Sequence, residues 1–518
     1  GASLFDWFRR REPLESRLRL RRPARLTQGP RGRDLLRRPC EDGAGKDHGE
    51  ARDEADHTPA ASRARGLLQR GARRLDLASP ASHARTLPMK IRPSTRRSFL
   101  RSGLAGIAAA GAAPAFIPSR LLGADAPSGK ITLGCIGVGA HGFAVNLKQF
   151  LQEDDCRIVA VCDVHAGRRQ RGREAVDEKY GGKGCTEIAD FRAVLARPDI
   201  DGVVISTPDH WHVTMALMAL DAGKRVFCEK PTLTIAEGRA LARAVAEKRL
   251  LFATALEDRS VIQYYKMAEV VRNGGIGRLR RIQVGLPVKP IFPKEQPVPV
   301  PAGLDWEMWV GPAPFRPYTA SVTEPQVWRQ IRDFSGGSLT DWGAHLVDTA
   351  QVANFAEDTS PVAVRGSGVI PPDSVNTVPQ TYEITYTYAN GVVLEVKSDQ
   401  PSIRLEGDAG WVGNKGWLGR LEAHDLDVFR RTYDPATSKI WRMRPREHRD
   451  FLDCCRNGQA PMYTAEALHR LSTTLHLGAI AMELGRPLKW DPAKETFDDP
   501  SANALRRRPT RDDWRRRG

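Results

Sequence analysis

The sequence predicts an α/β protein: an N-terminal, doubly wound parallel sheet of the Rossmann type, then an α/β domain with a large, mostly antiparallel open sheet. Three observations predict it. Residues 130–142 read KITLGCIGVGAHG, an apolar run followed by glycines at Gly137, Gly139 and Gly142. Apolar strand-like runs then alternate with helix-length segments as far as residue 255. Past about Glu257 the texture changes, and two alternating runs at 381–388 and 392–398 flank Asn390-Gly391, a strong hairpin signal.

Taken in order, residues 131–136 form the first strand and 143–151 the helix after the glycine turn. Gly137 permits the tight turn, Gly139 lets a pyrophosphate approach the backbone, and Gly142 lets helix and strand pack closely. With Ala140 and His141 between them, these residues open a helix whose free N–H groups attract phosphate. The second strand, 157–163, ends at Asp163, which lies 21 residues past Gly142. An acid about 20 residues on accepts hydrogen bonds from a ribose and repels a 2′-phosphate, so NAD is favoured. Arg168 and Arg169 follow closely and leave NADP open. A short helix at 191–195 precedes a buried strand at 202–206, and Thr207–His212 is read as the loop after it. A helix at 213–220, a strand at 225–228, a helix at 235–248 and a strand at 250–255 complete the unit. Ligands of such sheets sit beyond the carboxyl ends of the strands, where Thr207, Pro208, His210 and Glu229 also fall. The second half adds helices at 262–273, 448–457 and 464–484.

Charge and cysteine narrow the function classes. The chain of 518 residues carries +17, but residues 1–88 hold +8, 89–126 hold +5 and 505–518 hold +5, leaving 127–504 at −1. Basicity confined to the ends argues against a nucleic-acid groove. Eight cysteines show neither CxxC nor Cys/His ligand spacing, so no metal site and no disulfide framework is expected. His210 and His212 have no third ligand at a suitable spacing and are read as loop histidines near the cofactor. Residues 1–88 have the composition of a disordered segment and read as a spurious extension upstream of Met89. Residues 89–126 carry Arg96-Arg97, a short apolar run and Ala124-Asp125-Ala126, the layout of a twin-arginine export signal too short to span a bilayer. The resulting division is 127–256 for the nucleotide domain, 257–492 for the substrate and oligomerisation domain, and 493–518 for a basic disordered tail.

Two stretches carry chemistry. Lys230 stands at the mouth of a strand beside Pro231, in the cleft expected for the nicotinamide, whose positive charge would lower the lysine pKa. In GGSLTDWGAHLVD (336–348), Asp341 and His345 are four residues apart. If helical, they share a face, so the carboxylate orients an imidazole able to act as a general base.

With these residues in view, the chain resembles the glucose–fructose oxidoreductase/inositol dehydrogenase (Gfo/Idh/MocA) family over roughly residues 130–492. The resemblance rests on GVGAHG, STPDHWH, CEKP, LDWEMWVGPAPFRPY and GGSLTDWGAHLVD, in that order. It implies that Lys230 is the catalytic lysine, that Asp341 and His345 orient substrate and shuttle its proton, and that the open sheet forms homo-oligomer contacts. Arg259 and Trp328 are the candidate substrate contacts. The expected activity is exported, NAD(P)-dependent hydride transfer on a sugar, polyol or derivative, with cofactor bound tightly before passage through the twin-arginine machinery. The alternative is an NAD-dependent glycoside-cleaving enzyme in which the cofactor is only transiently reduced.

Overall fold

The computed structural model describes residues 129–516. The expectations for 1–88 and for the signal segment at 89–126 fall outside the described residues. The first sheet comprises β1 (Ile131–Ile136), β2 (Cys156–Cys162), β3 (Thr186–Ile188), β4 (Gly202–Ile205), β5 (Arg225–Glu229) and β6 (Phe252–Ala255). Their order is β3-β2-β1-β4-β5-β6 and every pairing is parallel. The order reverses between β1 and β4, which opens a crevice at their carboxyl ends. Helices on both faces explain why β4 and β6 are buried along their whole length.

The second sheet adds β7 (Leu279–Pro287), β8 (Ala363–Val369), β9 (Thr381–Thr387), β10 (Val393–Asp399), β11 (Ser402–Gly407), β12 (Gly410–Lys415), β13 (Leu421–Ala423), β14 (Leu488–Asp491) and β15 (Thr496–Phe497). These run β13-β12-β11-β7-β10-β9-β8-β14-β15, antiparallel throughout except for β7 against β10. The expected Asn-Gly hairpin joins β9 to β10, with Gly391 at φ 85°. Tyr382, Ile384, Tyr386, Leu394 and Val396 point inward onto the helices Gly343–Ala353 and Ala465–Leu484. On the opposite face Arg281 pairs with Glu395, and both are substantially exposed. One side of this sheet is therefore core and the other a charged, open surface.

The two halves interlock. The helix Glu447–Asn457 returns to the first sheet, where Arg449 makes a two-pronged bond to Asp155 at 2.8 and 2.7 Å. Phe451 packs against Phe227 and Phe150.

Residues 493–516 correct the expectation of a disordered tail. They form β15, the short helix Pro500–Ala504 and a final turn at Asp513–Arg516. The Trp514 ring is 1% exposed and sits 4.8 Å from Trp211 and 6.4 Å from Phe191, both in the first domain. The Arg511 side chain donates to the carbonyls of Gly311, Ala313 and Glu307. Composition counted the arginines as solvated charges, whereas Arg506, Arg508 and Arg511 find backbone acceptors. Trp514→Ala should destabilise the protein by about 3–5 kcal/mol, the usual cost of emptying a buried aromatic site; denaturant titration of the two proteins measures it.

Candidate active site

The carboxyl edge of the first sheet gathers the site. Gly137 follows β1 at φ 84°, and a β-carbon there would come within 2.7 Å of the Ser206 backbone. A β-carbon on Gly142 would fall 2.1 Å from the Gly137 carbonyl oxygen, so the turn closes only with glycine. Gly139 differs, for a β-carbon there meets only the Arg168 guanidinium, 3.5 Å away. That open face, with exposed Ala140 beside it, fits a pyrophosphate approaching the backbone. At the end of β2, Asp163 accepts bonds from the N–H of Val138 at 3.0 Å and of His165 at 2.9 Å, fixing the carboxylate against the glycine turn. The buried Thr207 hydroxyl oxygen has no partner among the described residues, and Pro208 caps the next helix. An orphaned polar atom beside an open glycine turn is what a dinucleotide site requires, and these residues fit one.

The helix after the turn starts as a π-helical turn, Gly142–Leu147. It aims Asn146 at three partners. The Asn146 amide donates to Glu229 Oε1 and to Ser206 Oγ, both at 2.8 Å, while its oxygen accepts from His448 Nε2 at 2.8 Å. His141 also reaches Glu229 Oε1, at 2.9 Å. Burial opposes the Glu229 charge, yet His141 and Lys230 overcome it and hold its pKa at about 2. Glu229 thus ties the glycine turn to the strand end that carries Lys230.

Lys230 donates to the Asp341 backbone oxygen and to Asp341 Oδ1, each at 2.9 Å. Burial works against its charge, but the carboxylates of Asp341 and Glu229 outweigh burial and raise its pKa. The ammonium is therefore a hydrogen-bond donor rather than a base. Asp341 is held well below the ordinary carboxylate range, against burial, by Lys230, Arg329 and Lys289.

The expectation that Asp341 orients His345 is corrected. The helix Gly337–Asp341 ends at Trp342 and a new one begins at Gly343, while the three cations draw the carboxylate away from the imidazole. The partner of His345 is Asp258, just past β6, with Nδ1 and Oδ2 2.9 Å apart. Burial and the Lys230 charge push the His345 pKa down to about 4, so the ring is neutral near pH 7. Burial and the Asp348 carboxylate push the Asp258 pKa well above its usual range, so the bond to Nδ1 fixes the ring without dictating which nitrogen carries the proton. Glu257, Asp258 and His345 also place one ligand atom each within 4.8 Å of one another, a grouping able to hold a cation that sequence spacing had not shown.

Three further site expectations move. His210 and His212 lie in the first turn of the helix Asp209–Asp221, not in a loop. His210 is 3% exposed, packs against Trp309 and Phe334, and donates from Nε2 to the Trp309 carbonyl at 3.0 Å; it faces the core rather than a cofactor. His212 bridges the carbonyls of Thr207 and Pro231 at 2.8 and 2.9 Å, locking the two loops that frame the cleft. Arg259 is committed within the fold. It is buried, forms a two-pronged bond to Asp348 at 3.1 and 2.8 Å, and stacks on Tyr463. Trp328 is buried against Trp306, Trp309 and Phe334, with the Arg329 guanidinium 4.2 Å from its ring centre. Asp258, Asn146, Lys289 and Arg329 were missed. Asp258 and Lys289 follow strand ends directly, a signal available in the sequence.

With this geometry in place, comparison with known proteins identifies the scaffold. Residues 131–255 match the oxidoreductase family's NAD-binding Rossmann fold, and residues 293–516 match its C-terminal alpha/beta domain. The chain belongs to the Gfo/Idh/MocA oxidoreductase family. Its second family domain starts later than the expected boundary and takes in the docked tail. Among curated Gfo/Idh/MocA relatives, a glycosyl hydrolase family 109 protein of Shewanella baltica is 32% identical over 162 residues, 27% of this chain and 35% of that protein. An alpha-N-acetylgalactosaminidase of Shewanella oneidensis is 34% identical over 122 residues, 23% of this chain and 26% of that one. The match thus spans about a third or less of these relatives. The fold is similar to an NAD-binding protein from Listeria innocua (TM-score 0.52, 20% identity, 70% of this chain and 97% of that one). Levoglucosan dehydrogenase, solved with NADH and levoglucosan, gives a TM-score of 0.51 at 18% identity, covering 70% and 99% of the two chains.

Acid should weaken the protein through its buried histidines. Burial first, and neighbouring charges second, hold His210 and His476 at about 3 and His345 at about 4, below the ordinary 6.5. The unfolded chain takes up protons before the folded one, so this stability is complete above pH 6.5 and drains away as pH falls towards 4 and 3. The melting temperature should fall across that window, and His210→Gln should flatten the slope.

Proposed function

We propose that the protein is an exported, NAD(P)-dependent oxidoreductase acting on a carbinol of a sugar, polyol or sugar derivative. The observation that carries this reading is the pairing, in one cleft, of a fixed ammonium and a neutral imidazole beside a glycine turn suited to pyrophosphate. When bound, the nicotinamide supplies the hydride acceptor, and Gly139, Asp163 and Thr207 are the residues that would hold the nucleotide. The chain's own groups do the rest. His345 Nε2 takes the substrate hydroxyl proton, with Asp258, 2.9 Å from Nδ1, holding the ring in position. Lys230 spends two N–H groups on Asp341 and has a third for the same substrate oxygen as negative charge develops there. Asp341 is a positioning residue that keeps the ammonium charged and aimed.

A second reading, glycoside cleavage with transient redox of a retained cofactor, is supported by the names of the curated relatives. Release of p-nitrophenol from an N-acetyl-α-galactosaminide without added cofactor would favour it; NADH accumulating with a free sugar favours the first. Export rests on Arg96-Arg97 and the apolar run after them, and is tested by cleavage after Ala126 in cells with an intact twin-arginine pathway. Assembly into a homo-oligomer through the open face of the second sheet is part of the proposal, and light scattering reads it.

Lys230→Ala should lower kcat by about 10²- to 10³-fold, while nucleotide affinity, read by NADH fluorescence, stays near wild type. Loss of both would mean that Lys230 holds the fold. Asp258→Asn should reduce kcat more than it changes KM. In the wild type, kcat should fall on acidification only as pH approaches 4, where the His345 imidazole gains its proton.

A further inference from the structure

Three cations surround one carboxylate in the cleft. Lys230 takes the short bonds to Asp341, and the other two are left with long ones: Lys289 Nζ at 3.6 Å and Arg329 Nε at 3.5 Å, both from Asp341 Oδ2. Lys289 is 9% exposed, and among the described residues its ammonium has no closer acceptor; the Trp342 ring centre lies 5.3 Å away. An ammonium with three donors does not stay buried on one long contact without a further partner. Arg329 is similar. Its Nη1 donates to the Pro325 carbonyl at 3.1 Å and its guanidinium lies over the Trp328 ring, while Nη2 has no partner among the described residues.

Other carboxylates nearby are committed elsewhere. Glu229 accepts from His141 and Asn146, and Asp209 accepts from the Ser335 hydroxyl at 2.6 Å. Asp258 faces His345. Donors on Lys289 and Arg329 are thus unspent on the side of Asp341 away from Lys230.

Resting on the dehydrogenase reading above, we infer that Lys289 and Arg329 form a subsite for an anionic group on the substrate, a carboxylate or a phosphate borne by the sugar. The two cations converge on the carboxylate that positions Lys230, so an anion bound between them lies within one sugar ring of the reacting oxygen. A guanidinium offers a planar pair of donors and an ammonium a point charge, the combination that suits an oxyanion with two or three oxygens. Asp341 keeps both cations in place when the subsite is empty. The substrate would then be an acidic sugar, and a neutral one would leave both cations with only their long contacts to Asp341.

The test titrates the full chain with D-glucuronate, D-glucose 6-phosphate and D-glucose by isothermal calorimetry, with and without NAD. At least one anion should bind about tenfold tighter than D-glucose, the worth of one charged hydrogen bond or more. Glucuronate against glucose 6-phosphate tells carboxylate from phosphate. Lys289→Met and Arg329→Met should each bring the anion-to-neutral affinity ratio close to one, Lys289→Arg should restore much of it, and added salt should erode it. Equal affinity for D-glucose, binding of neither anion, or an unchanged ratio in Lys289→Met would overturn the subsite. Should NAD fail to bind while the ratio and its loss persist, the dehydrogenase reading falls and the anion site stands.

Discussion

The bond between Lys230 and Asp341 is the constraint on which the site depends. One partner ends a strand of the first sheet and the other ends a helix of the second domain, 111 residues later. Neither charge is stable alone in that environment: burial opposes both, and each is kept ionised by the other and by its neighbours. Domain docking and catalytic charge state are thus one equilibrium. A displacement of the domains that lengthened this contact would discharge or release the ammonium at the same moment.

Around that bond the polar groups are chained rather than scattered. Glu229 links the glycine turn, through His141 and Asn146, to the strand end preceding Lys230, and Asn146 passes the chain to His448 in the second half. His212 fastens the two loops on the other flank. Such a network places a reacting group within narrow limits because each member's geometry is set by two others. Asp258 performs the same service for His345. Acid and base roles separate cleanly, since burial lowers the imidazole while carboxylates raise the ammonium.

Much of this was legible in the sequence, for definite reasons. The glycine spacing, the acid that ends β2 and the Asn-Gly hairpin are local signals, and each sits where it was expected. Lys230 and His345 were likewise placed in the cleft by their motifs. What failed was pairing across the chain. Asp341 and His345 looked like partners because four residues separate them, yet the competing pull came from Lys230, Arg329 and Lys289, which the fold gathers from three separate segments. Arg259 and His210 looked functional because their neighbours in sequence were. Burial decided otherwise, matching Arg259 to Asp348 and His210 to a tryptophan carbonyl. The tail misled through its composition, since Trp514 alone outweighs the charges on either side of it.

That tryptophan has a bearing on how the protein matures. Its indole fills a gap between Phe191 and Trp211, so the nucleotide domain is finished by a residue translated 383 positions after Ile131, where its first strand begins. During synthesis, the early sheet carries an uncovered aromatic socket until residue 514 has left the ribosome. Until Trp514 docks, the face of Phe191 and Trp211 is an uncovered hydrophobic hollow, and the docked indole hides it.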